Sequence, residues 1–407
     1  MGVAGLGGYA AFMTDQLLAC SESAGGPVKL RAVCDPQAAA FGRRVAELEQ
    51  RGVRVLERYE DLLAEPIEAV WLPLPIHLHR AFTEQALAAG KAVMCEKPAA
   101  GCVQDVDAMI AARDAAKLPV AIGFQHIYDP ATLQLKRRLL DGGIGEIDSA
   151  TLHACWPRDD AYYDRNTWAG AVQRDGVWVL DSPANNALSH YINLALFLLG
   201  SSVDESARLI SVEAELYRGR PIENYDTISM RLTLEGDVPV VVLLTHACKK
   251  AVEPQIRIKG TDGTAVWQAE GQSVLASRSG EPMGTIKHAQ KVHREMIERF
   301  AQLVRGQNDP TRTVATLETS RVQTQAINAA SQAAAVRDVP ASAVRVTASS
   351  GGAAVRAIIG IEQAFASCVE HGQTLHESGC FDWTRPVERL EIADGYACFT
   401  GPRAAKG

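Results

Sequence analysis

A chain of 407 residues with 47% hydrophobic side chains is long enough to bury two or three separate cores. Its formal charge of −7, sequence pI near 5.9 and lack of a dense Lys/Arg block exclude a general attraction to phosphate backbones, so nucleic acid is not an expected partner. Nine scattered cysteines without a CxxC pair argue against a disulfide framework or structural zinc, so no metal is expected and a reducing cytoplasm is favoured, while no apolar run approaches the roughly 20 residues that cross a bilayer.

From the N-terminus, β-rich stretches alternate with helical ones. VAGLG, VKLRAVCD, VRVL, AVWLPLP, KAVMCE and PVAIGF each precede an amphipathic or Ala-rich segment such as AFTEQALAAG or CVQDVDAMIAARDAA. Repeated strand-then-helix units predict an α/β domain, a doubly wound parallel sheet, over residues 1–124. The leading MGVAGLGGYAAF is apolar but lacks the positive residues of a signal sequence, and Leu6 breaks the myristoylation pattern.

After GFQHIYDP the texture changes. Between about 204 and 275, longer strands of alternating polarity (ARLISVEAELYRG, YDTISMRLTLEG, VPVVVLLTHACKK, PQIRIKG, TAVWQAEG) are separated by turn signals such as EGD and TDG, which predicts an antiparallel sheet. Helices at about 133–141, 186–199 and 288–305 are expected to cover one face, making residues 125–345 a second, α+β domain with an open, mostly antiparallel sheet. A break at ASSGG leads into residues 346–407, read as a folded extension. There AVRAIIGIEQAFASCVE has helical spacing and VERLEIADGYACFTG resembles a hairpin around Asp394-Gly395.

Gly5-Leu6-Gly7-Gly8-Tyr9-Ala10 fits GxGxxA between a strand and a helix. The first glycine permits a tight turn, the second lets backbone approach a pyrophosphate, and Ala10 allows close strand–helix packing. Alone the pattern is weak, since many glycine-rich turns bind nothing. The second strand ends in Asp35 of AVCDP, where a carboxylate can accept from both ribose hydroxyls and would repel a 2'-phosphate. NAD is therefore expected over NADP. The interval from the glycines to Asp35 exceeds the usual ~20 residues, which reads as a surface insertion around SESAGGP; a simple turn residue before Pro36 is the plainer alternative for Asp35.

The fifth strand runs into Met94-Cys95-Glu96-Lys97-Pro98, at the carboxyl edge where doubly wound sheets bind ligands. Pro98 disfavours a helical conformation at Lys97, so the side chain can be aimed into a cleft. Beside an oxidised nicotinamide the ammonium form would be disfavoured by like charge, making proton relay feasible near neutral pH. A surface Glu-Lys pair ahead of a helix is the bland alternative.

These features resemble the Gfo/Idh/MocA family of NAD(P)-dependent oxidoreductases. The resemblance rests on the GxGxxA loop, on LPLPIHLHRAFTEQALAAGKAVMCEKP at 72–98 and on SHYINLALFLLG at 189–200, and extends over about residues 2–340. It implies a Rossmann domain joined to a domain with an open antiparallel sheet, a carbohydrate or cyclitol substrate, Lys97 in the substrate cleft, and a homodimer or homotetramer formed through that sheet. On the cofactor side it implies Gly5, Leu6, Gly7, Gly8, Tyr9, Asp35, Leu74, Pro75, His79, Glu96 and Lys97. Ile76 stands where Asn is common. His77 and His79 have the spacing of a metal pair but no third ligand, so a helix-start role or contact with the cofactor is expected of them.

In a helix entered near Ser182, with Pro183 at its first position, Asn186 and His190 share a face. A lone helical histidine is ordinarily structural, whereas the resemblance implies that His190 contacts the reacting alcohol and is catalytic together with Lys97. Asn186 falls where many relatives carry aspartate. An amide cannot exchange a proton, so proton transfer passes to Lys97 or His190 while Asn186 positions a hydroxyl, the nearest replacement carboxylate being Asp181.

Three of the six tryptophans lie between 156 and 178. Trp156, Arg158, Tyr163, Arg165, Asn166 and Trp168 form a candidate substrate segment, in which aromatic faces cover sugar C–H surfaces and Arg and Asn bind hydroxyls or a carboxylate. A surface packing cluster is the alternative. His126, after the last Rossmann strand, is expected to face the cleft. Strand alternation assigns Glu223, Asp226 and His246 to an exposed or oligomer-facing surface, outside catalysis. The expected function is NAD-dependent oxidation of a secondary hydroxyl of a sugar, glycoside or cyclitol. A redox-neutral epimerase or glycoside-cleaving enzyme that retains NAD, and a non-catalytic NAD- or sugar-sensing regulator, are compatible with the same residues.

Overall fold

Six apolar runs of three or four residues, each too short for a helix, become a parallel sheet in the computed structural model. They are β1 (Gly2–Ala4), β2 (Ala32–Cys34), β3 (Arg54–Leu56), β4 (Ala69–Leu72), β5 (Ala92–Cys95) and β6 (Val120–Ile122), alternating with α1 (Gly8–Glu22), α2 (Gly42–Gln50), α3 (Tyr59–Ala64), α4 (His79–Ala88) and α5 (Val103–Ala116). The structure describes residues 1–22, 26–269, 271–307, 309, 311–392 and 396–404; part of the expected SESAGGP insertion lies outside them. Every residue of β1, β2, β4, β5 and β6 is buried, as strands covered on both faces require, while β3 at the sheet edge is partly exposed. The strand order is β3-β2-β1-β4-β5-β6. All six carboxyl ends therefore share one edge, and the order reverses between β1 and β4, which opens a crevice there.

The second sheet has the order β16-β15-β14-β13-β7-β12-β11-β10-β17, with β20 also paired to β10. Its chain begins with α6 (Pro130–Leu140), β7 (Ile147–Cys155), α7 (Asp160–Asp164), β8 (Gln173–Arg174), β9 (Val177–Trp178) and α8 (Ser189–Leu198). The strands β10 (Leu209–Arg218), β11 (Thr227–Leu234), β12 (Val238–Thr245), β13 (Val252–Gly260), β14 (Gly263–Gln268), β15 (Gln272–Ser277) and β16 (Pro282–Lys287) follow. Pairing is antiparallel except for β7 with β12 and β10 with β17. The last elements are α9 (Val292–Val304), α10 (Leu317–Ala333), β17 (Val336–Asp338), β18 (Val344–Ala348), β19 (Ala354–Ile358), α11 (Ile361–His371), α12 (Leu375–Ser378) and β20 (Glu388–Glu391). Among the described residues no helix is long and apolar enough to cross a membrane.

Two compact units result: Met1–Ala100 with Asp105–Leu133 and Ala289–Ser320, and Gly101–Gln104 with Gln134–His288 and Arg321–Gly407. The expected helix at 288–305, observed as α9, thus belongs to the first unit and not to the second sheet. Its Phe300 packs edge-on against Trp71 of β4 at 6.4 Å, because its apolar face matches the first sheet.

Three other expectations are corrected. The helix placed from Ser182 begins only at Ser189. Ser182 Oγ does accept from a backbone N–H, that of Asn185 at 3.1 Å, but the chain then makes a wide turn closed by Leu188 N to Pro183 O at 2.8 Å. AVRAIIG is not helical: it forms β19, paired antiparallel with β18 across the ASSGG turn, and the helix starts after it. The anticipated hairpin turn at Asp394-Gly395 lies outside the described residues, and the strand ahead of it, β20, pairs with β10.

The C-terminal extension packs against one face of the second sheet. Phe365 and Cys368 of α11 and Leu375 of α12 are buried with Cys155, Tyr217, Val241 and Leu243 of the sheet. Leu375 N donates to Ser229 Oγ at 2.9 Å and His376 N to Glu215 Oε1 at 3.1 Å, while Thr374 and Glu377 close a capping box on α12. Truncating Phe365 to Ala should therefore leave a cavity and lower the stability of the second unit by about 3–5 kcal/mol. A urea unfolding midpoint left at the wild-type value would show that the extension is not part of this core.

Candidate active site

At the carboxyl edge of the parallel sheet the turn after β1 is fixed by sterics. Gly5 has φ of +112°, and a Cβ there would lie 2.9 Å from Ala10 Cβ, so the glycine and the alanine of the motif are both required by one close approach. Gly5 N donates to Cys34 O at 2.7 Å. At the end of β2, Asp35 Oδ2 accepts from Leu6 N at 2.9 Å and Oδ1 from Gln37 N at 2.8 Å. Each carboxylate oxygen has a second lone pair, so Asp35 is oriented by the loop and can still accept from a ribose. Gly7 and Gly8 open the first turn of α1, whose N-terminal amides and positive dipole end suit a pyrophosphate. Tyr9 is exposed and stacks on Phe12 at 5.6 Å. The residues present fit a dinucleotide.

Leu74 and Pro75 follow β4 on the same edge. His79, at the first position of α4, is fully buried, with Nδ1 2.9 Å from Pro98 O and Nε2 2.8 Å from Leu74 O. Its ring ties the loop after β4 to the loop after β5, so its contribution to a cofactor is through the placement of those loops. Burial lowers its pKa against the opposing pull of the backbone carbonyls.

After β5, Glu96 is buried and Lys97 is half-buried. Trp71 Nε1 donates to Glu96 Oε1 at 3.0 Å, and Lys97 N to Oε2 at 3.4 Å. Gly123, after β6, makes room for this carboxylate: a Cβ there would lie 2.5 Å from Glu96 Oε2. Burial pushes the Glu96 carboxyl up to about 7, against the indole bond and the Lys97 charge. His126 sits in the short turn Gln125–Tyr128 that follows Gly123, half-buried. Glu96, Lys97 and His126 thus come from neighbouring strand ends.

The second unit gathers its polar side chains at one end of its sheet. β7 ends there and continues into Trp156, with Trp156 N donating to Thr245 O at 3.0 Å and Arg158 N to His246 O at 3.2 Å. β12 ends there just before His246, and β11 begins there after Asp226. These last two residues are not on an exposed surface, as alternation had suggested; both are buried. They flank strands instead of lying within them, so period-two alternation has no force at their positions. Glu223 is exposed as expected.

Asp226 is organised by Arg220, whose Nε lies 3.0 Å from Oδ2, and by Gly219 N at 3.0 Å and Thr227 Oγ1 at 3.0 Å. Burial pushes its pKa up while Arg220 and these donors oppose the shift. Arg220 also donates to Arg158 O at 3.1 Å, lies 3.5 Å from Asp160 Oδ1 and covers the Tyr163 ring at 4.5 Å. Tyr163 in turn is hydrogen-bonded to His246 Nδ1 at 3.0 Å. Sequence reasoning found Arg158 and Tyr163, set Asp226 and His246 aside, and missed Arg220. Only the clustering of aromatics around 156–168 hinted at partners.

Asn166 serves its own loop: its Oδ1 accepts from Trp168 N at 3.1 Å and Ala169 N at 2.8 Å. Asn186 lies in the turn before α8, so the shared helical face with His190 is not formed; its Nδ2 donates to Asp181 Oδ1 at 2.7 Å, and Asp181 Oδ2 accepts from Gly170 N at 2.6 Å. His190, in the first turn of α8, is half-buried. It lies 6.3 Å from the Tyr191 ring, which meets Trp156 edge-on at 5.9 Å. Trp156, Tyr191 and His190 therefore form one chain of rings, while Asp181 carries Asn186 and places its charge near Tyr162 and Tyr163.

Residues 1–124 match the model of an oxidoreductase family with an NAD-binding Rossmann fold, GFO_IDH_MocA, and residues 132–266 match the GFO/IDH/MocA C-terminal domain. D-apiose dehydrogenase of Paraburkholderia graminis is 26% identical over 55% of this chain and 57% of its own length. Inositol 2-dehydrogenase of Rhizobium meliloti is 26% identical over 54% and 62%. The match thus spans less than two thirds of these relatives. Among solved structures, the WlbA dehydrogenase from Bordetella pertussis in complex with NADH and UDP-GlcNAcA shares the fold with a TM-score of 0.63 at 24% identity, over 81% of this chain and 95% of that one. Levoglucosan dehydrogenase in complex with NADH gives 0.66 at 18% identity, over 81% and 96%. With both of its domains matched in order, the chain belongs to the Gfo/Idh/MocA oxidoreductase family.

Proposed function

We propose that the chain is an NAD-dependent oxidoreductase acting on a secondary hydroxyl of a sugar, glycoside or cyclitol. The observation that carries the reading is the carboxyl edge of the first sheet, where a sterically fixed glycine turn, an oriented Asp35 and a lysine backed by a buried carboxylate stand at adjacent strand ends. Bound at that edge, NAD supplies the acceptor for the hydrogen of the carbinol carbon.

The glycine-loop amides and Asp35 hold the dinucleotide, with Gly5, Leu6, Gly7, Gly8, Tyr9, Leu74 and Pro75 beside it. Lys97 Nζ takes the hydroxyl proton, and His190 is the second catalytic residue of this reading. Asn186 accepts from a neighbouring hydroxyl, and Trp156, Tyr163 and Trp168 supply apolar faces for sugar C–H groups. Glu96 tunes Lys97, since an ionised carboxylate favours the ammonium and a neutral one releases it. The division of the chain at 1–124, 125–345 and 346–407 goes with this reading, except that residues 289–320 pack with the first unit. Self-association into a homodimer or homotetramer through the second sheet would use its β13–β16 half, because α11 and α12 cover the other.

Lys97→Met should lower turnover by roughly 10²–10⁴ across a sugar and cyclitol panel while NADH affinity, read by fluorescence, stays within a few-fold; wild-type turnover would sink the assignment. Asp35→Asn keeps an acceptor for Leu6 N and removes the charge. It should narrow the preference for NADH over NADPH binding by about tenfold, and an unchanged ratio would remove Asp35 from the ribose site. Glu96 has a raised folded-state pKa, so its contribution to stability is greatest below the unfolded value near 4.5 and is lost as pH rises through about 7. Glu96→Gln should accordingly gain stability over wild type at pH 8 and not at pH 4.5, and a difference independent of pH would show that the carboxyl is not strained by burial.

A further inference from the structure

Arg158 and Arg165 differ from Arg174, Arg220 and Arg356 of the same unit in having no acidic partner among the described residues. Arg220 is paired with Asp226 and Asp160, Arg356 with Asp160, and Arg174 with Glu223. Among the described residues no carboxylate lies within 4.0 Å of the Arg158 or Arg165 guanidinium. Both are held by aromatic faces instead. Arg158 lies 5.6 Å from the Trp156 ring and 5.0 Å from Tyr162, while Arg165 lies 3.7 Å from Tyr162 and 5.3 Å from Trp168. Two cations thus share one tyrosine ring, with a tryptophan flanking each.

A guanidinium stacked on a ring keeps its N–H groups in its own plane, parallel to the ring and directed outward past its edge. Each of these arginines donates to one backbone carbonyl, Arg158 to Pro157 O at 3.2 Å and Arg165 to Tyr162 O, and Arg158 also has a side-chain hydrogen bond with Tyr162. Arg158 Nε is buried and has no acceptor among the described residues. The nearby carboxylates are engaged elsewhere. Asp159 Oδ1 caps α7 by accepting from Tyr162 N at 3.1 Å, Asp160 takes Arg220 and Arg356, Asp181 takes Gly170 N and Asn186, and Glu253 accepts from Trp156 Nε1 at 3.2 Å. Asp164 is exposed. The positive field is registered by His246: burial, then Arg158, Arg220 and Arg165, lower its pKa well below the ordinary histidine value.

We propose that Arg158 and Arg165, mounted on Trp156, Tyr162 and Trp168, form a subsite for an oxyanion, so that the substrate is a sugar derivative carrying a carboxylate or a phosphate. The proposal rests on the oxidoreductase reading for its sugar and on the arginine geometry for its charge. A planar carboxylate or a tetrahedral phosphate satisfies the same outward N–H groups, and either would complete the charge balance that the protein leaves open.

Thermal unfolding of the full chain in acetate or inorganic phosphate, with sodium chloride added to constant ionic strength, tests the subsite without turnover. One of the two anions should raise the midpoint of wild type, and Arg158→Gln with Arg165→Gln should abolish that rise. Phosphate alone acting points to a phosphorylated sugar, and acetate alone to an acidic one. Arg165 is exposed, so Arg165→Gln by itself provides the comparison if the double variant does not fold. No rise in wild type, or an equal rise in the variants, overturns the proposal. In a parallel arm, NAD reduction is followed with sugar acids, sugar phosphates and their neutral parents. The charged members should be favoured by about tenfold or more in kcat/KM, and the preference should collapse in Arg158→Gln. Neutral parents turned over as well as charged ones overturn the subsite while leaving the oxidoreductase reading intact. Anion-dependent stabilisation with no NAD reduced by any member does the reverse.

Discussion

A carboxylate with no exposed surface must have its oxygens filled by donors, and Asp226 meets that demand by drawing in the end of a whole sheet. Its ion pair with Arg220 is buried on both sides, at 0% and 1% exposure. A pair of this kind is not a large source of net stability, because desolvation offsets the attraction, but removing one partner costs about 3–5 kcal/mol. What the pair contributes is placement. To satisfy its remaining N–H groups Arg220 reaches Arg158 O and Asp160, and its planar face settles on Tyr163. That fixes the loop after β7, and with it the rings and cations proposed to meet the substrate.

The same device links this loop to the C-terminal extension. Arg356 on β19 reaches Asp160 Oδ2 at 3.1 Å, and Asp159 pairs with Val355. Asp160 therefore lies between one arginine from the β10–β11 connection and another from a hairpin beyond residue 340. The extension is anchored independently through Phe365, Cys368 and Leu375 on the sheet face, so it can act as a fixed strut for α7. The family models end at residue 266. Both the extension and its grip on the loop after β7 are features of this chain that the family match leaves undescribed.

How much could be read from sequence follows from the range of the interactions. The first unit was legible because its determinants are local: Gly5 and Ala10 meet within one strand–turn–helix, and Lys97 takes its place from the strand before it and the proline after it. Strand polarity also pointed to the second sheet, since β10, β11, β13 and β14 alternate in sequence, whereas β12 is a continuous apolar run. Arg220, Asp226 and His246 were not legible, because their burial is created by pairing between strands and they sit just beyond strand ends. The start of α8 misled for a related reason. Ser182 and Pro183 carry the chemistry of a helix start, and Ser182 does cap a turn, but the wide turn to Leu188 uses that signal before the helix begins. In AVRAIIG, short apolar spacing fitted a helix until pairing with β18 decided for a strand.

Asn186 shows how such placement can change a residue's meaning. Read alone, an amide in place of an aspartate removes a proton acceptor from the site. In the structure the amide donates to Asp181 Oδ1, whose other oxygen is held by Gly170 N. The carboxylate is thus still present, one hydrogen bond further back, and the amide stands in front of it. An amide so tethered cannot rotate its Nδ2 outward without breaking a charge-assisted bond, so Asp181 fixes which way the amide faces. An acceptor that cannot take the proton suits the holding of a hydroxyl that is not oxidised. That is the part the proposed function gives to Asn186, with Asp181 holding the amide in place behind it.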